Sequence, residues 1–306
     1  MPVFSFMRAP GLLPSLAISC GVQACAYAYS TLGRAQPTEH YYDLSGAATH
    51  LAIVAHTLAA AAARDGAVSP RVALMAGLSS LWALRLGTYL YDRVTRLGKD
   101  DRFDALKTDP LWWTVPWVFQ AAWCWALQAP LAMAASTALA SRLTRRDAIG
   151  AALFAGGLAW ETLADAQKDA FKRRARNAPM TEGLFSLSVY ANYAGEITLW
   201  CGAALLALPA VARPAHVLAA AIAPAFDAFL LLRVSGMPLS EASAWRRYGG
   251  SEAYVDYRAR TSTLLPWPPA RTATPEALAR CRARAAAASA LAEAPAGRGE
   301  QPRKGQ

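Results

Sequence analysis

The sequence predicts an all-α, polytopic membrane bundle of about seven transmembrane helices with a cytoplasmic C-terminal cap, and three observations carry that prediction. Composition is the first: 55% of the 306 residues are hydrophobic, only 17% are charged and ten are Trp. Mean hydropathy is +0.18, well on the apolar side for a soluble domain. The second is a series of apolar runs near the length of about 20 residues that a helix needs to cross a bilayer. The third is the uneven placement of Lys and Arg between the loops.

The runs lie near residues 10–30, 46–63, 70–90, 113–139, 147–165, 192–210 and 214–232. In lipid every backbone N–H and C=O must be satisfied within the segment, so runs of this length become helices. No ten-residue segments alternate with period two, which argues against a membrane barrel. The second and fifth runs are short and the seventh holds Pro224 and Asp227, so six or eight spans stay open beside seven. Residues 12–30 also have the length and small-residue ending of a cleaved signal, but Arg8 is the whole of the charged region before them, and the run is read as the first span.

The formal net charge of +10 could point to nucleic acid, yet its distribution points to topology. With alternating spans, the loops after the first, third, fifth and seventh runs hold Arg34, the cluster from Arg93 to Lys107, the cluster from Lys168 to Arg176, and Arg233, Arg246 and Arg247. The other side holds Arg8, Arg64, Arg71, Arg142, Arg145, Arg146 and Arg213. The positive-inside rule then places the C-terminus in the cytoplasm and the N-terminus outside, in the endoplasmic reticulum if the cell is eukaryotic. Membrane lipid is the expected surrounding partner and no nucleic acid is expected.

Residues 233–269 are rich in Tyr, Arg, Glu and Trp and end at Pro266-Trp267-Pro268-Pro269, which reads as short cap helices stopped by a breaker. Residues 1–269 thus form the membrane-embedded domain, and 270–306 an Ala/Arg-rich low-complexity tail expected as a fraying helix or disorder. The five Cys are scattered without a C-x-x-C pair and the four His lack close ligand spacing, so no metal site is expected.

Ionisable residues inside spans are costly and tend to face a bundle interior or wet cavity. Three stripes qualify. In the third run Arg85, Tyr89, Asp92 or Arg93, and Arg96 share one helix face, as a snorkelling column or as a site for phosphate. In the fifth, Glu161, Asp165, Lys168 and Lys172 follow at four, three and four residues, as an ion ladder or a polar pocket wall. In the sixth, 188-SVYANYAGEITLW-200 sets Asn192 one turn before Glu196, with Tyr190 and Tyr193 beside them. The amide and carboxylate can hold an amide or ribose hydroxyl or bind a neighbouring helix, to which Gly195 and Gly202 permit close approach.

The segments 161-ETLADAQKDAFK-172, 183-GLFSLSVYANYAGEITLWCG-202 and 233-RVSGMPLSEASAWRRYGGSEAYVDYRARTSTLLPW-267, in that order, resemble the steroid 5-alpha-reductase superfamily, and most closely its branch of uncharacterised membrane proteins. The resemblance runs from about Tyr41 to Pro269. It implies a seven-helix bundle with NADPH in its cytoplasmic half and a lipophilic enone entering from the membrane. It implies that Asn192, Tyr193 and Glu196 contact the nicotinamide end, with Asp165, Lys172, Arg85, Tyr89, Arg93, Arg96, Tyr248, Asp256, Tyr257 and Arg258 as further cofactor-binding positions. The tyrosine that polarises the enone carbonyl in steroid enzymes falls on Trp82, whose indole is no general acid, and its partner carboxylate falls near Asp43.

The resulting expectation is an integral membrane NADPH-dependent oxidoreductase that reduces a conjugated carbon-carbon double bond in a sterol, isoprenoid or acyl lipid. Tyr42 or Tyr41, oriented by Asp43, supplies the donor in that reading, with a protonated Asp43 as the fallback. The alternatives are an S-adenosylmethionine-dependent lipid or isoprenyl methyltransferase, whose cofactor lacks phosphates and has less use for the cations, and a non-catalytic lipid-binding membrane protein. No G-x-G-x-x-G follows a strand, so a soluble dinucleotide fold is not the means.

Overall fold

The computed structural model describes residues 11–136, 143–208 and 214–293. Arg8, Arg142, Arg213, the ends of the runs at 113–139 and 192–210, and the tail beyond 293 lie outside the described residues. The described chain is all helical, with no strand. The longer helices are α1 (Leu12–Thr31), α2 (Tyr42–Asp65), α3 (Pro70–Leu97), α4 (Pro110–Ala135), α5 (Arg145–Arg174) and α6 (Ala191–Ala207). They are followed by α7 (Pro214–Ala220), α8 (Ile222–Phe229), a π-helical turn at Leu230–Val234, α9 (Met237–Tyr248), α10 (Glu252–Arg260) and α11 (Pro275–Glu293).

Among the described residues, three helical stretches are long and apolar enough to cross a membrane: Leu12–Thr31, Tyr42–Asp65 and Ile222–Tyr248, the last made of α8, the π turn and α9 in succession. Of the other long helices, α4 carries no charged residue but holds Pro116 and Pro130. Charges run along α3 and α5, and α6 has 17 residues.

The helix starts follow local chemistry. Ser69 caps α3 by accepting from Val72 N at 3.3 Å, with Pro70 in the first turn, where its missing N–H is no loss. Asp109 caps α4 in the same way, accepting from Leu111 N at 2.7 Å ahead of Pro110 at the start of the helix.

The chain divides into two compact units. One holds residues 1–159 and 195–230, the other 160–194 and 231–306. In the first unit, α2, α3 and α4 pack around Val54, Met75, Trp82, Leu127 and Leu131. The crossing of α5 and α6 is made of glycines: a Cβ on Gly157 would lie 2.6 Å from Gly195 O and Leu199 N, and one on Gly202 2.6 Å from Gly150 O and Phe154 N. Close approach to a neighbouring helix is therefore what Gly202, and Gly157 on the facing helix, provide. A buried ion pair joins α3 to α5, with Arg71 Nε 2.9 Å from Asp147 Oδ1 and both side chains almost fully buried.

In the second unit, Trp245, Tyr254 and Val255 form a core against which Tyr248, Tyr257, Leu278, Cys281 and Ala285 pack. Helix α11, from the Ala/Arg-rich segment, is thus held by side chains on one face. The segment after α10 runs alongside 187–190: Val189 N donates to Ser262 O at 2.9 Å, Tyr190 N to Thr263 O at 3.1 Å, and Trp267 N to Leu187 O at 3.1 Å.

Candidate functional site

Within the first unit, one face each of α2, α3 and α4 encloses a cavity of about 30 Å³, room for one or two waters or the polar tip of a larger molecule. From α2 it takes Asp43, Ala47 and His50, spaced four and three residues apart on one helix face. From α3 come Trp82, Leu86 and Gly87, and from α4 Gln120 and Trp123. Gly87 is required here, because a Cβ would sit 2.4 Å from Ala47 Cβ and push α2 and α3 apart at the cavity wall.

The surrounding polar groups are mostly committed. Gln120 Nε2 donates to Gln23 Oε1 at 3.0 Å and to Tyr42 O at 2.9 Å, and Gln23 Nε2 donates to Thr49 Oγ1 at 2.8 Å. Trp123 Nε1 donates to Asp227 Oδ1 at 3.2 Å, and Gln128 Nε2 lies 3.0 Å from His50 Nδ1. Two buried groups at the cavity stand apart: Nε2 of His50 and Nε1 of Trp82 have no hydrogen-bond partner among the described residues. Their side chains are 1% and 0% exposed.

Of the positions expected to act on substrate, Asp43 lines this cavity. Tyr42 donates its hydroxyl to Pro116 O at 2.9 Å and packs on Phe103 and Trp117. Tyr41 is 38% exposed and stacks on Tyr91 at 6.0 Å.

Several cations of the first unit have partners among the described residues. Arg93 reaches Asp100 at 3.6 Å, Arg96 holds Asp92 at 2.9 Å, and Arg85 lies over the Tyr89 ring at 5.5 Å. Glu39 joins Lys107 and accepts from Asp100 N at 2.9 Å. Burial alone would raise the Glu39 pKa, but Lys107 and the Asp100 N–H outweigh it and hold the carboxyl below its usual range. Glu196 is buried in the same unit.

The second unit gathers several positions that the resemblance implies for the cofactor. Asn192 Nδ2 donates to Asp165 Oδ1 at 3.3 Å, Tyr190 and Tyr193 stack at 5.3 Å, and Lys172 Nζ donates to Tyr248 Oη at 3.1 Å. Arg258 is nearly buried and gives its fork to Glu241 and to Tyr254 Oη, the latter at 3.1 Å. Tyr257 donates to Phe185 O at 2.7 Å, and burial pushes its phenol pKa up. Burial also raises the pKa of Tyr190, whose hydroxyl donates to Glu241. Asp256 pairs with Arg260 at 3.3 Å near the surface. A groove of about 440 Å³ in this unit is lined by Met237, Trp245 and Ala288, with Glu241 and Arg284 as its charged members, 3.6 Å apart.

The sequence does not mark out His50 or Gln120 as site residues. The signal for His50 was its distance of seven residues from Asp43 in 43-DLSGAATH-50, which is two turns along one face. Asp227 shows in the sequence only as an irregularity of the last run. Among the described residues no group of His, Cys, Asp and Glu could hold a metal ion.

No curated protein and no solved structure matches the chain. A family match does, and it covers residues 31–261, from the turn before α2 through the end of α10. On that match, the chain belongs to the DUF1295 family of proteins of unknown function.

Proposed function

We propose that the protein is a seven-span membrane reductase of the steroid 5-alpha-reductase kind, using NADPH to saturate a carbon-carbon double bond conjugated to a carbonyl in a lipophilic substrate, with its C-terminus in the cytoplasm. The observation that supports this most directly is the Asn192 to Asp165 hydrogen bond at the start of α6. It sits beside the Tyr190–Tyr193 stack in the same unit. An amide fixed by a buried carboxylate is a pre-set donor and acceptor for a carboxamide, and stacked phenols suit a flat ring.

NADPH, when bound, supplies a hydride to the β-carbon of the substrate. Asn192, Tyr193 and Glu196 orient its nicotinamide end in this reading, with Asp165 holding the Asn192 side chain. Lys172, Lys168 and Arg173, within the second unit, are the cations that would meet phosphate. Asp43 stands at the cavity where the substrate carbonyl is taken up.

A second reading, a lipid-binding protein without turnover, draws on Trp82 and on the bond that commits the Tyr42 hydroxyl to Pro116 O. Thermal unfolding of detergent-purified protein with NADPH, NADH and S-adenosylmethionine in parallel separates the readings, since a ligand that binds the folded state raises its stability. A shift with NADPH that is lost in Asn192→Ala is expected. A shift with S-adenosylmethionine alone makes the protein a methyltransferase, and no shift with any nucleotide leaves the lipid-binding reading.

A further inference from the structure

We propose that His50 and Trp82 form a two-donor seat for one oxygen of a lipophilic ligand, at the buried end of the cavity between α2, α3 and α4. Unmet hydrogen-bond capacity carries the inference. A buried N–H without an acceptor is destabilising and most buried polar groups have a partner, yet two lie at one cavity wall. Trp82 can only donate. Gln128 Nε2 donates to His50 Nδ1 at 3.0 Å, which puts the neutral ring's proton on Nε2 and makes His50 a donor as well. The two rings meet edge to face with centroids 5.0 Å apart, so the two donors belong to touching side chains of one cavity wall.

The indoles of Trp117 and Trp200 also lack an acceptor among the described residues, but neither lines this cavity. Trp123, which does, spends its N–H on Asp227. The pair thus asks for an acceptor with no proton of its own to place, which fits a carbonyl oxygen. The remaining lining from Leu86, Leu90 and Ala83 is apolar and suits the carbon skeleton behind it. Asp43, two helical turns from His50 along α2, lines the same cavity.

The choice of a ketone rests on the reductase reading, whereas the seat does not, and the test contains no nucleotide, so either can fail alone. Full-length protein in detergent is titrated with dodec-3-en-2-one carrying ¹³C at the carbonyl, and with dodec-3-ene, which lacks the oxygen. Affinity and the infrared carbonyl band are read together. The bound ketone is expected to show its band below the micelle frequency, and Trp82→Phe to move it back part of the way while weakening the ketone about fivefold. Binding of the alkene stays unchanged. His50→Phe should act likewise, and His50→Gln, which keeps a donor, should retain the lowered band. A band at the micelle frequency in the unaltered protein overturns the proposal. So does equal weakening of ketone and alkene, which assigns the residues to packing, or a band that no variant moves, which leaves the donors to water or to the neighbouring rings.

Discussion

The two compact units treat polarity in opposite ways. In the second, charge is dense and mutually satisfied: Glu241 receives Arg258, Tyr190 and Trp245, and Lys172 is held by Tyr248 and by the carbonyl of Ala178. In the interior of the first, polar atoms are sparse and mostly neutral amides, hydroxyls and rings, set among Trp, Leu and Ala. An ion pair in the second unit is therefore weak as a sign of function, because each charge already has a structural use. An unmatched N–H in the first is a stronger sign, since nothing nearby in the apolar wall competes for it.

That contrast breaks most severely where the first unit depends on backbone contact. Gly157→Val puts a branched side chain where a Cβ alone would stand 2.6 Å from Gly195 O and Leu199 N. Backbone cannot yield as a flexible side chain can, so the expected loss is above about 4 kcal/mol, the upper end for a point substitution. Thermal unfolding in detergent reads it, and a loss under about 1 kcal/mol would mean that the α5–α6 crossing is looser than described. The buried pair of Arg71 and Asp147 comes next. Arg71→Met leaves Asp147 uncompensated, with an expected loss of about 3 kcal/mol, and a combined Asp147→Leu should restore most of it by removing the stranded charge.

The same contrast explains what could be read from sequence. The all-helical class follows from the apolar runs, which need only length and composition. Asn192 and Asp165 are each marked by the sequence, on two separate stripes and through a resemblance, whereas the contact between them is seen only in the structure. His50 did not stand out, since a single imidazole in 43-DLSGAATH-50 has no ligand spacing and becomes informative only when α3 brings Trp82 to the same cavity. Nor does sequence show that Arg93 and Arg258 each hold a carboxylate, because their partners Asp100 and Glu241 come from separate turns and helices. Pairing across elements is a tertiary property that periodicity along one helix does not carry.

In the second unit, Arg258→Lys sharpens the comparison. Lysine keeps the charge but cannot bridge Glu241 and Tyr254 as a planar fork, nor lie over Trp245 as the guanidinium does at 5.2 Å. The expected destabilisation is about 2 kcal/mol, read by hydrogen exchange in α9 and α10. If stability is unchanged while nucleotide-dependent protection disappears, Arg258 belongs to a binding site and the structural assignment of this pair falls.

The smallest effect concerns Glu39, a charged anchor outside the spans of the first unit. Its carboxylate ties Lys107 and the Asp100 N–H to the turn before α2, and its folded pKa lies below the ordinary value. A lowered carboxylate pKa means that the stabilisation is complete above the unfolded value, about 4.3, and fades as pH falls through the folded value. Glu39→Gln should therefore cost about 1 kcal/mol at pH 7, and the gap from the unaltered protein should narrow below about pH 4 as the native carboxyl takes up its proton. Unfolding midpoints of both proteins across pH 3 to 7 test this. A gap that persists at the acid end would show that Glu39 holds the turn through shape and hydrogen bonding, which Gln also disturbs, and not through its charge.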